Sequence, residues 1–201
     1  MNNTPFFWKK KNNFFSFALL PVTLIYLSVV KLKKLLTSPV NFKNIKIVCV
    51  GNIYLGGTGK TPLVKKIYDE IKLCEKCCVI KKFNKNQKDE IKYLNYYTDL
   101  ITPKTRLDGL KKAINTGYEF AILDDGMQDH SFKKNVSILC IKSKHGFGNE
   151  NILPAGPLRE SINSIKNYNL ALINGNVRED LEGLIKKYNP NIKIFYSKYT
   201  V

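Results

Sequence analysis

Arginine is scarce in this chain. Of 33 basic residues among 201, only Arg106, Arg159 and Arg178 are not lysine. Histidine is scarcer, with His130 and His145 alone. The five cysteines (Cys49, Cys74, Cys77, Cys78, Cys140) include one Cys-x-x-Cys spacing, Cys74 to Cys77, and no second pair. A structural zinc site takes four ligands, so a lone pair with distant histidines argues against one. Cys49 and Cys140 fall in apolar, strand-like runs and read as packing residues, with reduced thiols suiting a cytosolic protein. No segment repeats. Acids are also few: 16 against 33 basic residues leave a net charge of +17. That balance points to an anionic partner. Lysine and asparagine dominate the whole chain, however, and there is no nucleic-acid motif, so no nucleic acid is expected as partner.

The uneven placement of charge says more than its total. Residues 1–46 hold eight lysines and no acid, and they flank an apolar stretch from Phe14 to Val30. Seventeen residues lie near the lower limit for crossing a bilayer and also suit a helix lying in one leaflet. Lysines at both ends would hold it near anionic headgroups, at about 1 kcal/mol each. No small-residue cleavage site follows Val30, which disfavours a signal peptide. A buried core helix is the alternative; membrane attachment is the expectation.

The richest segment is Val50-Gly-Asn-Ile-Tyr-Leu-Gly-Gly-Thr-Gly-Lys-Thr61. An apolar run, Ile45 to Val50, precedes it and a helical-looking segment, Pro62 to Leu73, follows. Strand, Gly-rich turn and helix are the context of a phosphate-binding loop. Gly56, Gly57, Thr58 and Gly59 would let successive N–H groups curl around phosphate, helped by the helix N-terminus. Lys60 would reach the β- and γ-phosphates and Thr61 would ligate Mg²⁺. The first glycine of G-x-x-x-x-G-K-[ST] would fall on Tyr54, so the spacing departs from the general pattern, and a plain Gly-rich turn is the alternative.

Downstream, strands are predicted at Cys77–Ile80, Leu100–Thr102, Phe120–Leu123, Val136–Ile141, Leu170–Ile173 and Ile192–Tyr196. Helices are predicted at Glu90–Tyr97, Thr105–Asn115 and Arg178–Tyr188, with Gly117 as a C-terminal glycine. This alternation predicts an α/β fold of the P-loop NTPase type, with a mostly parallel sheet flanked by helices. It would follow a membrane-associated segment at 1–44 and occupy 45–201. Phe120-Ala-Ile-Leu-Asp-Asp-Gly ends a buried strand in two carboxylates. Asp124 is the candidate for the metal side, and Asp125 could ligate, orient or serve the acceptor; a turn that merely favours Asp-Asp-Gly is the alternative. In a lysine-rich chain, arginine kept at Arg106 and Arg159 suggests the planar fork that grips phosphate. Arg178, beside Glu179 and Asp180, reads as a surface pair.

Together these motifs resemble the tetraacyldisaccharide 4′-kinase family. The resemblance runs through Pro5-Phe-Phe-Trp8, Val50 to Val64 with its shifted glycines, Asp124-Asp-Gly-Met-Gln128, Gly146-Phe-Gly-Asn149 and Leu153-Pro-Ala-Gly-Pro-Leu-Arg-Glu160. It implies an enzyme on the cytoplasmic face of the inner membrane, bound to its anionic surface. ATP and Mg²⁺ would serve to phosphorylate the 4′-hydroxyl of a membrane lipid, tetraacyldisaccharide 1-phosphate, giving lipid IVA. By position, Lys60 and Thr61 would hold ATP phosphates and Mg²⁺, and Asp124, Asp125, Gln128 and Glu160 would complete that network. Arg106 and Arg159 would contact phosphates of nucleotide or lipid. Asp89, in Lys88-Asp89-Glu90 where the family has Gly-Asp-Glu, would be the base. Two departures stand out. Ile80-Lys81-Lys82-Phe83 replaces Ser-Arg-Gly-Tyr, keeping a charge but losing the fork. Relatives also continue beyond Val201, to a histidine that pairs with the catalytic Asp. A catalytically impaired, nucleotide-binding remnant docked at the membrane is the alternative function.

Overall fold

A computed structural model describes residues 4–198. The helices are α1 (Phe14–Leu35), α2 (Lys60–Lys72), α3 (Lys88–Tyr97), α4 (Arg106–Asn115) and α5 (Glu179–Tyr188). The strands are β1 (Lys46–Gly51), β2 (Cys77–Lys81), β3 (Leu100–Ile101), β4 (Phe120–Asp124), β5 (Val136–Lys142), β6 (Leu170–Asn174) and β7 (Lys193–Ser197). Their order in the sheet is β3-β2-β4-β1-β5-β6-β7. The α/β expectation therefore holds; the predicted strands and α2–α5 are present with ends shifted by a residue or two, while α1 runs five residues beyond Val30 to Leu35.

By its contacts the chain divides into two compact units. One comprises the chain up to Thr37, Asn52–Thr58, and the chain from Leu139 onward; the other comprises Ser38–Gly51 and Gly59–Ile138. In the second unit β1, β4, β2 and β3 pair in parallel. Strands covered on both faces read as continuous apolar runs, and β2 and most of β1 and β4 are buried residue after residue. Cys49 lies fully buried in β1, its thiol pushed up to about 12 by desolvation, which makes it a packing group and not a ligand. The register sets Val50 and Lys81 opposite Asp124, so that carboxylate sits at the carboxyl end of β4 between two neighbours.

Helix α4 shows how closely sequence chemistry dictates its ends. The Thr105 hydroxyl accepts from the Asp108 N–H (3.2 Å), closing the N-terminus. At the other end Gly117, at φ +78°, allows its own N–H to reach the Ile114 carbonyl and that of Tyr118 to reach Ala113, a Schellman closure.

The first unit holds α1, β6, β7, α5 and most of β5. β6 and β7 pair in parallel from Leu170↔Lys193 to Asn174↔Ser197. The alternative of a buried core helix fails for α1, in which Ser16 and Thr23 are the buried residues. Phe14, Phe17, Leu24, Ile25, Val29 and Leu32 are all more than half exposed. It is long and apolar enough to cross a membrane. The less exposed residues from Phe14 to Val30, Ser16, Leu19, Thr23, Tyr26, Leu27 and Val30, follow three- and four-residue spacing, and the two that are buried, Ser16 and Thr23, carry hydroxyls. The most buried positions of this helix are thus polar while its outer face is apolar.

Gly109 tests how tightly α4 packs within its unit. Alanine in a helix interior gains about 1 kcal/mol over glycine by propensity. A Cβ at 109, however, would lie 2.8 Å from Pro103 Cγ and 2.9 Å from Ile80 Cγ2. Overpacking of that kind costs about 1–3 kcal/mol, so Gly109→Ala is expected to lower the denaturant midpoint. An unchanged or raised midpoint would show that the contact relaxes freely.

Candidate functional site

The Gly-rich segment contributes Asn52–Thr58 to one unit and Gly59 onward to the other. In the second unit, Gly59 is the N-cap of α2 at φ +84°, a left-handed conformation that costs glycine little. As a glycine, this N-cap offers no side-chain oxygen to α2, and the first turn of the helix has no acid. The N-terminal N–H groups of this 13-residue helix are thus not supplied with an anionic or polar side-chain partner from within the helix.

Beside it lies a compact group of charges. Asp124 is 1 % exposed. Its Oδ2 accepts from Lys81 Nζ (2.6 Å) and from the Thr61 hydroxyl (3.2 Å). Lys81, 2 % exposed, also donates to Glu90 Oε2 (2.7 Å). Burial alone would pull the Lys81 ammonium down; Asp124 and Glu90 outweigh it and raise it above its ordinary value. The other oxygen of Asp124, Oδ1, is buried and has no hydrogen-bond partner among the described residues. A buried carboxylate oxygen with nothing donating to it, next to a hydroxyl, fits a hard divalent cation such as Mg²⁺. Mg²⁺ takes one or two protein oxygens and completes its shell with water and phosphate, so the lack of a three-residue His/Cys/Asp/Glu cluster among the described residues does not conflict.

The predicted residues divide as follows. The second unit brings together Lys60, Thr61, Asp124, Asp125 and Arg106. Lys60 Nζ lies 3.9 Å from Asp125 Oδ1. Asp125 occupies the left-handed region at φ +60°, a strained position for a residue with a side chain. Arg106 holds that turn: its Nη2 donates to the Asp125 carbonyl (2.5 Å) and its Nη1 lies 3.7 Å from Asp129 Oδ2. Its Nε, buried, has no partner among the described residues. Gln128 follows in the same loop, half-buried. Asp89 stands exposed in the first turn of α3, and it is the adjacent Glu90 that reaches the Lys81–Asp124 group.

Gly56, Gly57, Thr58, Arg159 and Glu160 belong to the first unit. Gly56 and Gly57 are exposed at the tip of the loop. Carbonyl oxygens facing a phosphate would repel it. Here the Tyr54 and Gly56 carbonyls accept from Asn52 Nδ2 (2.6 and 3.2 Å), and that of Thr58 accepts from Asn174. Arg159 Nη1 donates to Asn52 Oδ1 (3.0 Å), and Glu160 keeps one buried oxygen without a partner among the described residues. Tyr54, where the general motif would have glycine, is buried and stacks on His145 with ring centroids 5.8 Å apart. Asn52 and Asn174 were not legible as loop holders, because nothing in their spacing reveals which carbonyls they meet. Arg178 pairs with Asp180 as expected and also donates to the Ser143 carbonyl (2.9 Å).

Lys81→Met is expected to cost about 3–5 kcal/mol in metal-free buffer, because it leaves the Asp124 charge buried without its cation. Denaturation curves should show most of the loss recovered by adding Asp124→Asn. The raised Lys81 value makes its contribution constant through neutral pH and lost only as alkaline pH passes that value. A loss below 1 kcal/mol would overturn the account.

The sequence model of tetraacyldisaccharide-1-P 4′-kinase matches residues 15–80 and 87–199. The tetraacyldisaccharide 4′-kinase of Pelagibacter ubique is 44% identical over 97% of this chain, and that of Rickettsia felis 32% identical over 78%. The chain spans 63% and 53% of the length of these two relatives. Among solved structures, LpxK of Aquifex aeolicus in complex with ATP superposes with a TM-score of 0.65 at 19% identity, covering 92% of this chain and 81% of that one. The phosphate loop with its shifted glycines, the Asp-Asp-Gly turn and these matches agree: the chain belongs to the tetraacyldisaccharide-1-P 4′-kinase family.

Proposed function

We propose that this chain is the ATP-binding, phosphoryl-transferring part of a membrane-associated lipid kinase. Its acceptor would be the 4′-hydroxyl of a tetraacyldisaccharide 1-phosphate, and its product lipid IVA, in lipid A biosynthesis. The observation that carries this is a buried Asp124 oxygen with no hydrogen-bond partner among the described residues, beside Lys60 and Thr61 in the acid-free first turn of α2. An anion and a divalent cation together satisfy both, as a nucleoside triphosphate with Mg²⁺ would.

In this reading Gly56 to Gly59 and Lys60 bind the β- and γ-phosphates, and Thr61, Asp124 and Glu160 would hold the cation. Bound Mg²⁺ would neutralise charge on the phosphates. Asp89 accepts the proton of the sugar hydroxyl as its oxygen bonds to the γ-phosphorus and the bond to the β,γ-bridging oxygen breaks, releasing ADP. An exposed carboxylate suits a group that must meet a lipid-borne acceptor. Arg106, Gln128 and Asp125 shape the nucleotide side, and Arg159 serves the phosphates of substrate. Residues 1–44 form the membrane-facing segment and 45–201 the transferase domain, on the cytoplasmic face of the inner membrane.

Purified protein with labelled ATP and the disaccharide acceptor tests the reading. Lys60→Ala is expected to abolish transfer. Asp89→Asn should reduce it by about 100-fold or more, a typical worth of a general base, with ATP binding intact. Intact ATP binding with no label in lipid would sink the kinase reading, and a fully active Asp89→Asn would remove Asp89 as the base.

The outward face of α1 predicts that the protein sediments with anionic vesicles. Polar replacement of Leu24 and Ile25, at 64% and 67% exposure, should release it without changing its denaturation midpoint. Vesicle binding that survives this change would place the lipid contact elsewhere.

A further inference from the structure

Within the first unit, hydrogen bonds in series join α1 to the Gly-rich loop. The Tyr26 hydroxyl donates to the main-chain carbonyl of Arg159 (3.2 Å). Arg159 is held at two further points: its N–H donates to the Ile53 carbonyl (2.7 Å) and its Nη1 to Asn52 Oδ1 (3.0 Å). Asn52, fully buried, donates through Nδ2 to the carbonyls of Tyr54 and Gly56. Each link fixes the next one, from a helix whose outer face is apolar to the loop tip.

The last link bears on ligand geometry. In a trans peptide the carbonyl and the following N–H point in opposite directions. Drawing the Gly56 carbonyl inward to Asn52 therefore turns the N–H of Gly57 the other way, at an exposed position in the loop. A phosphate loop works through such main-chain N–H groups, so whatever orients those peptides sets affinity. Gly56 and Gly57 have no side chains with which to hold themselves.

We propose that Tyr26 and Asn52 are positioning residues for the nucleotide, coupling α1 through Arg159 to the conformation of the phosphate-binding loop. This rests on reading the loop as an ATP site. It makes α1 part of the binding apparatus as well as a lipid-facing segment.

The test uses the full chain in anionic nanodiscs. Binding of a fluorescent ATP analogue is measured by anisotropy, alongside melting without nucleotide. Tyr26→Phe removes one oxygen and should weaken binding about threefold to tenfold, the range of one neutral hydrogen bond, with nucleotide-free melting unchanged. Ser28→Ala, on the same helix, removes an exposed hydroxyl that bonds the Leu24 carbonyl one turn earlier (2.9 Å) and should leave affinity unchanged. Asn52→Ala should weaken binding more, and adding Tyr26→Phe to it should do nothing further, because the series is already cut. If Asn52→Ala does not fold, Arg159→Lys, which loses the fork, takes its place in the cycle. Wild-type affinity in Tyr26→Phe, or losses that simply multiply, would overturn the proposal. A wild-type protein that does not bind the analogue would overturn the ATP reading and this inference with it.

Discussion

A carboxylate removed from water at the end of β4 is the constraint around which the second unit is organised. Ionised and alone, Asp124 would be intolerable in that position, and one ammonium 2.6 Å from its Oδ2 makes it tenable. Parallel pairing delivers the two partners to the same level, because Lys81 and Asp124 are register neighbours on β2 and β4. The strands are buried to their last residues, so neither charge has recourse to solvent. One oxygen of Asp124 has no donor among the described residues, and that oxygen gives the candidate site its chemical character.

This arrangement explains what could and could not be read from the amino acids. Parallel strands buried on both faces announce themselves as runs such as Phe120–Leu123, and the α2 entry as Gly59-Lys60-Thr61, so element order and the grouping of Lys60, Thr61, Asp124 and Asp125 in the candidate site were legible. Lys81 was not, as a partner of Asp124. A lysine at the end of a strand reads as surface. Only the pairing of β2 with β4, some forty residues away in sequence, turns it inward onto a carboxylate. Glu90 was hidden behind its neighbour Asp89 for a related reason: one helical position decides which of two acids faces the cluster.

The asparagines show a different limit. Asn52 and Asn174 satisfy loop carbonyls through side-chain amides, a role defined by what they touch and not by spacing. Tyr54 gained its meaning only from the fold. Its buried ring against His145 shows why a residue of that size stands where the general loop pattern has glycine.

The inside-out pattern of α1 has a consequence for how this segment can diverge. On its outer face any apolar residue is as good as another, and substitutions there should accumulate freely. On its inner stripe the Thr23 hydroxyl meets the Ile152 carbonyl and the Ala155 N–H, the Tyr26 hydroxyl meets the Arg159 carbonyl, and Ser16 meets the amide of Asn149. A substitute helix of equal length and greasiness would match the apolar face yet leave those groups unanswered. In this helix hydrophobicity is interchangeable and polarity is the specific message, the reverse of what a hydropathy profile records.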